Sequence, residues 1–575
     1  MNKTKGKSIR KIWASMLAVL LIALLIMPMA VSVSAAQETP TDKWVNHVAA
    51  SFAGGTGTEN DPYQIATADQ LALLSKNVAD GNTYQGSWFK LMKDLDLSDY
   101  RWNPIGQYKW ELNGTSTSHP FHGNFDGNSK TIKGLYVDEA EDGFSGGLFG
   151  YVENYTYTET VIRDITIEDA VIYGTEEGLT QGYGGILSAN ISANDGYGIL
   201  VENVCVSGSI SIHGVNGYYS SGGMVGDASR VTFNNCRVED LTMLAVSNSG
   251  GFVGMCAECS YTDCYVSGAI SGAWAMGGFV GYTTLSSNSN SDTHSTFTRC
   301  VADVNVTANN WNVGGFCGLS VGGVFEDCAA LGDVKSTVTE WEPRVAGFAG
   351  RLEPYYYDSY GPYTSALNNC YFGGSVSSSH ATILPSALVA SAFEDYATIT
   401  NCAYDKDRNQ DVNVVSQADG TAIASLTASA ESTLDLQNKI CDELYGHHQY
   451  AGNTCEVCGL EQMYINADGY WVIDGAVTTV QASGEKGDKG DTGDQGIQGE
   501  KGDKGNTGEQ GIQGEKGDSG AQGIQGDKGE AGAAGVDEKN GVNGLIIAAT
   551  VIGSTALVIE LVFLAYTLIK KRQPS

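Results

Sequence analysis

Apolar and polar residues alternate in short bursts through the middle of the chain, as in Cys264-Tyr265-Val266-Ser267-Gly268-Ala269-Ile270. A two-residue period predicts strands with one buried face. Helical spacing replaces it at two places. Leu71, Leu74 and Val78 share a helical face behind Thr67, with Gln70 in a capping-box position and Gly81 as the stop. Leu434, Ile440 and Leu444 make a second amphipathic piece. Both are expected to close the ends of a stacked β structure, because terminal strands otherwise present open edges.

Two longer apolar runs differ in kind. Met16 to Met27 follows Lys3, Lys5, Lys7, Arg10 and Lys11 and precedes Ser34-Ala35-Ala36, the order of a cleaved secretory signal. Leu545 to Ile569 is long enough to span a bilayer, and Lys570, Lys571 and Arg572 behind it place the C-terminus inside the cell. Glu560 lies within that span, a position for a neutral acid or a contact between helices.

The strands are organised by repeats. A Gly-Gly-apolar unit recurs at Gly146, Gly184, Gly222, Gly250, Gly277 and Gly314, with the variant Ala346-Gly347, at spacings of 38, 38, 28, 27, 37 and 32 residues. A constant motif at irregular spacing means a fixed coil carrying loops of variable length. Between these units stand Cys205, Cys236, Cys264, Cys300, Cys328, Cys370 and Cys402, each in a short β-rich segment. One such unit cannot bury its apolar face alone, so the units must stack, and a right-handed parallel β-helix is the expected fold.

These residues resemble the GLUG repeat of bacterial surface proteins. The stretches Gly57-Thr58-Glu59-Asn60-Asp61-Pro62, Trp102-Asn103-Pro104-Ile105-Gly106 and Phe121-His122-Gly123-Asn124-Phe125-Asp126-Gly127 look like the lead-in to such repeats. The resemblance covers roughly residues 50–405 and implies a surface or adhesive role; the expected setting is the surface of a Gram-positive-type bacterium.

From Gly484 to Gly535 glycine stands at every third position, as required where three extended chains meet at a crowded axis. This collagen-like stalk contains no proline, so Lys-Gly-Asp pairs such as Lys486-Gly487-Asp488 are expected to hold its chains together, each contributing about 0.2–1 kcal/mol. At about 3.1 Å per residue the tract reaches roughly 160 Å. The expected organisation is a signal at 1–36, an N-terminal cap at 37–82, repeats at 83–405 and a C-terminal cap or linker at 406–440. A Cys/His module at 441–460, a β neck at 461–483, the stalk at 484–537, a membrane helix at 545–569 and a cytoplasmic tail at 570–575 complete it. The sum is a mainly β, single-pass cell-membrane protein, trimeric through its stalk, with its head outside.

Charge narrows the partners. The chain carries −33, and setting aside the +5 of residues 1–36 and the +3 of residues 570–575 leaves −41, which repels nucleic acid and anionic lipid. Thirteen cysteines leave at least one unpaired by any disulfide scheme within the chain. Parallel Cβ vectors on stacked coils favour buried thiols over bridges. Cys256-Ala257-Glu258-Cys259 lacks a redox-domain context and reads as core thiols or a loop disulfide. Cys441, His447, Cys455 and Cys458, with His448 nearby, fit either a structural zinc or disulfides.

No nucleophile elbow, zinc-protease helix or phosphate loop is present, and a non-enzyme is expected. Arg163, Arg230, Arg237, Arg299, Lys335, Arg344 and Arg351 are the basic residues between Gly134 and Cys402, and most lack an acidic cluster beside them in sequence. Tyr219, Trp274 and Trp311 each precede a repeat glycine by three residues, and Trp341 precedes Ala346 by five. On stacked coils they predict an aromatic column able to stack on sugar rings or anchor a protein. Tyr355, Tyr356 and Tyr357 form a second aromatic candidate. An adhesin for glycan or host protein is the first reading, with a passive spacer or a polysaccharide-degrading enzyme as alternatives.

Overall fold

One coil defines the architecture. Val231–Asn234, Arg237–Ala245, Asn248–Gly250 and Val253–Ala257 are four successive strands, and each pairs in parallel with its counterpart in the next coil, Ser260–Thr262, Tyr265–Gly272, Ala275–Gly277 and Val280–Thr284. The same pairing repeats along the chain, so the coils stack as a parallel β-solenoid with apolar residues inside. The computed structural model describes residues 40–481, apart from 111–115, 139–145, 157, 175–180, 195, 213–217, 273, 286–293, 354–363, 394–396, 418–424, 434, 438, 441–449, 452–453, 456–463, 466–469 and 474–475. The expected signal, stalk, membrane helix and tail lie outside the described residues. Among the described residues no helix is long and apolar enough to cross a membrane.

The repeat signature is a steric code. In Gly277-Gly278-Phe279-Val280-Gly281 a Cβ on Gly278 would stand 1.9 Å from the Gly315 carbonyl oxygen of the next coil, and one on Gly281 would stand 2.5 Å from the Ser249 nitrogen of the preceding coil. Backbone passes backbone there with no room for a side chain. The apolar residue between the glycines turns inward, and Phe252, Phe279, Phe316 and Phe348 stack 4.7, 4.9 and 5.0 Å apart with nearly parallel rings. Phe233, Tyr261, Phe297 and Phe325 form a second ladder with spacings of 5.0, 4.7 and 4.8 Å. The two ladders meet edge to face, for example Phe279 against Phe297 at 5.7 Å and 88°. Each aromatic pair adds about 0.5–1.5 kcal/mol beyond burial.

A second corner bends the first two strands of each coil. Asn235, Asp263, Arg299, Asp327, Asn369 and Asn401 adopt φ between 50° and 54°, a left-handed conformation that Asn and Asp tolerate best. Their amides donate to the following coil, as Asn235 N to Thr262 O at 3.0 Å and Asn369 N to Thr400 O at 3.0 Å. Side chains continue the ladder: Asn235 Nδ2 donates to Asn203 Oδ1 at 2.9 Å, and Asn401 Nδ2 to Asn369 Oδ1 at 2.8 Å.

The bend turns the next residue inward, so Cys236, Cys264, Cys300, Cys328, Cys370 and Cys402 form a buried column of free thiols. Cys328 Sγ donates to Phe297 O at 3.4 Å, a use that fits a small apolar residue with a weak donor. Cys205 is not a member. It pairs in register with Arg237, one place beyond the inward position, which Val204 fills. A one-residue offset reverses the face in a strand.

The helix expected at the first end is present as Ala68–Ala79, with Leu71, Leu74 and Val78 buried and Gly81 at φ 102° past its end. Its cap differs from the capping box: Thr67 makes no side-chain cap bond, and Gln70 Oε1 accepts from Ala66 N at 2.8 Å. The second amphipathic piece does not close the other end. Its backbone is helical at 433, 435–437 and 439–440, and Leu436 and Ile440 are buried on the outer wall against Val301, Ala329, Tyr371 and Ala403. Those four residues follow column cysteines and therefore face outward, making an apolar stripe that captures the segment. Lys439 Nζ lies 5.6 Å over the Tyr371 ring. Leu434 and Leu444 fall outside the residues whose side chains are described. The expected β neck is a three-stranded antiparallel sheet of Tyr464–Ile465, Tyr470–Ile473 and Ala476–Gln481.

Candidate functional site

The aromatic candidates lie at or just before the third strand of their coils. Register pairs Ala275 with Asn312, which sets Trp274 and Trp311 side by side on neighbouring coils, and Asn312 N donates to Trp274 O at 3.1 Å. Both rings are open to solvent, Trp274 57% and Trp311 51% exposed. Trp274 holds this position at φ 73°, an uncommon conformation for a bulky residue and a mark of local strain. Tyr219 shares the register two coils earlier, by way of Ser247, because Ser220 pairs with Asn248 and Ser249 with Met276. Trp341 is displaced. Asn312 pairs with Arg344, so Pro343 is the counterpart of Trp311, and Trp341, 49% exposed, sits two residues before it. The column is therefore a contiguous Trp pair with Trp341 offset, interrupted by Ser247 on the Tyr219 side.

A cation flanks the pair. Arg344 N donates to Trp311 O at 2.6 Å, and its guanidinium carbon lies 5.8 Å from the Trp311 ring centroid. Partial burial, with Arg351 nearby, pushes the Arg344 pKa down. Arg351 itself pairs with Glu353. Other arginines also find carboxylates, some close in sequence and some brought near by the stacking of coils. Arg230 Nε meets Glu258 at 2.8 Å, Arg299 Nε meets Asp263 at 2.7 Å, Arg237 Nε meets Glu239 at 2.8 Å, and Arg163 reaches Asp126 at 3.5 Å. Arg299–Asp263 and Arg230–Glu258 join one coil to the next, 36 and 28 residues apart in sequence. Such pairs are structural.

Other titratable groups lie in or on the coils. Burial lifts the Asp227 carboxyl to about 7, on the fourth strand between its register partners Asn190 and Met255. Cys256 and Cys259 are buried, as the core-thiol reading has it, and burial raises Cys259 to about 12. Cys256 Sγ donates to Ser295 Oγ at 3.7 Å. Cys205, half-buried on the outer wall, is held at about 11 by burial and by Glu239. Thiols so raised are poor nucleophiles.

Among the described residues no group of three or more His, Cys, Asp or Glu residues is arranged to hold a metal ion. Cys455 lies in a two-residue strand with Thr454, paired antiparallel with Tyr450–Ala451. Cys441, His447, Cys458, Tyr355, Tyr356 and Tyr357 lie outside the described residues.

Comparison with known proteins separates stalk from head. Residues 482–544 match the collagen triple helix repeat family in 20 copies, which supports trimer formation through the collagen-like tract. The chain is 30% identical over 162 residues to a protein described as a Gly-rich membrane protein of Evansella cellulosilytica, covering 27% of this chain and 15% of that one. It is 29% identical over 180 residues to halomucin of Haloquadratum walsbyi, covering 30% of this chain and 2% of that one. The chain thus spans a small part of either relative's length. A crystal structure described as an immunoglobulin A1 protease from Bacteroides ovatus superimposes with a TM-score of 0.36 at 14% identity, over 74% of this chain and 96% of that one. The findings together fit a mainly β, collagen-like protein of cell-surface type.

Proposed function

We propose that the chain is a non-catalytic adhesin whose solenoid head binds glycan through the Trp274 and Trp311 rings. The observation that carries this reading is the exposure of two adjacent indoles in one register, one of them on strained backbone. Exposed aromatic faces about one coil apart offer a platform for sugar rings, and Arg344 beside them supplies donors for an acidic substituent. That local cation works against the repulsion of a chain carrying −33 and is the feature by which the patch favours uronic or sialic-type sugars over neutral ones. The GLUG-type reading of the repeats, the signal, the membrane helix and the outward-facing head belong to the same proposal: a head carried on a trimeric stalk, clear of the cell.

Replacing both Trp274 and Trp311 with alanine is expected to lower binding on a glycan array at least tenfold while leaving the far-UV spectrum unchanged. Binding that survives the double change removes the indole pair from the account. Binding confined to neutral sugars removes the role given to Arg344.

A further inference from the structure

The two ends of the solenoid are finished differently. At the first, Ala68–Ala79 packs Leu71, Leu74 and Val78 into the core. At the other, the last wall strand, Ser425–Glu431, pairs in parallel with Ala397–Asp405, and among the described strands none pairs with its outer edge. Leu426 and Ala428 stand in register with Ile399 and Cys402, which are fully buried, yet Leu426 is 42% exposed and Ala428 is exposed too. The apolar core therefore opens to solvent here. The helical segment that follows cannot cover it, because Leu436 and Ile440 are committed to the outer wall. The described strands between 450 and 481 pair only with one another.

The edge has few of the usual guards: Glu431 stands at its end, and its pairing shifts register once, between Ile399 and Cys402 of the neighbouring strand. Exposed edge strands carry charge, proline or a bulge that blocks pairing with other chains. Ser425-Leu426-Thr427-Ala428-Ser429-Ala430 has no charge and no proline before Glu431. Elsewhere the strongly acidic surface keeps copies apart, so a neutral edge is where two copies approach at least cost.

We propose that this edge pairs with the same edge of a second copy, antiparallel about a twofold axis, joining two heads end to end. The symmetry follows from the chain: an edge that meets itself across a twofold runs antiparallel, and both open cores are covered in one step. The consequence reaches the assembly. A three-chain tract presents three such edges, and twofold pairing cannot satisfy an odd number within one trimer. One edge of each trimer is then left to pair with the same edge of a neighbouring trimer, which joins the trimers in twos. This inference does not depend on what the Trp pair binds.

Full-length chain in detergent tests it by sedimentation across a range of concentrations. The mass of the particle, whatever its basal state, is expected to double as concentration rises, and amides 425–431 are expected to gain protection from hydrogen exchange over the same range. Ala428→Lys with Ala430→Lys, both at exposed positions, should abolish the doubling and leave the circular dichroism unchanged, whereas Trp274→Ala with Trp311→Ala should leave the doubling intact. The proposal is overturned if mass does not change with concentration, or if doubling survives the lysines. It is equally overturned if doubling disappears with the indoles, or if the amides are protected at every concentration, since later residues of the same chain then cover the edge. Should the lysine variant fail to fold, the exchange measurement on the unaltered chain decides alone.

Discussion

Alanine at Gly278 is expected to destroy the cooperative folding of the central coils. Its added methyl carbon would lie 1.9 Å from the Gly315 carbonyl oxygen and 3.0 Å from that carbonyl's carbon, both backbone atoms of the next coil with no rotamer by which to retreat. Relief requires separating two coils whose amides are bonded, among them Phe279 N to Phe316 O at 2.9 Å. The cost falls in the exceptional range for a single substitution, about 4–5 kcal/mol or more. Gly198→Ala is the matched control, since a Cβ there meets only Glu159 Oε1 at 3.4 Å, and it should shift stability by about 0.5 kcal/mol or less. Urea unfolding followed by circular dichroism compares them. Equal midpoints for the two variants would show that the glycines do not set the coil spacing.

Phe279→Ala should be the next most damaging. That ring stacks on Phe252 at 4.7 Å and Phe316 at 4.9 Å, and meets Tyr261 and Phe297 edge on at 5.7 Å each. Removing it leaves a void between four aromatic neighbours that are themselves fixed by their own coils, so little collapse can fill it. A loss of about 3–5 kcal/mol is expected. Because each coil touches only its neighbours, the damage should appear as early unfolding of the coils around 230–330 and not as a uniform shift. Hydrogen exchange read by segment measures this. A loss below about 1 kcal/mol, or exchange rising evenly along the head, would contradict the double-ladder core.

How much of this was legible in the sequence depends on the range of the interaction. The stacked fold was readable, because Gly-Gly-apolar units and Asn- or Asp-Cys corners recur along the chain and each repeat carries its own strand signal. The Ala68–Ala79 helix was readable for the same local reason. Cys205 was misplaced because its corner residue, Asn203, stands two positions before the cysteine and not one, a difference that the left-handed φ of 53° at Asn203 resolves. The outer-wall docking of Leu436 and Ile440 was hidden, since the stripe that receives them is assembled from four coils between Val301 and Ala403. The pairs Arg299–Asp263 and Arg230–Glu258 were hidden on the same ground, since stacking alone brings their members together. The second aromatic ladder left a faint signal, an aromatic three residues before the cysteine at Phe233, Tyr261, Phe297 and Phe325. Of the candidate site, Trp274 and Trp311 were correctly expected to share a register, and the seven-residue connection from Thr337 to Pro343, where the preceding coil has only Asn309 to Trp311, displaced Trp341 from it.

Register is the claim on which fold, exposed indole pair and open edge all depend, and engineered cysteines read it directly. The native thiols of the column are buried, so a short bis-thiol alkylating reagent should spare them in the folded chain. Trp274→Cys with Trp311→Cys places two exposed side chains in register on coils about 4.8 Å apart, within the reach of that reagent whatever the direction of their Cβ vectors, and should yield a cross-link by peptide mapping. Trp274→Cys with Leu384→Cys spans three coils, roughly 14 Å, and should yield none. A cross-link in the second pair, or its absence in the first, would mean that the coils do not stack in this order.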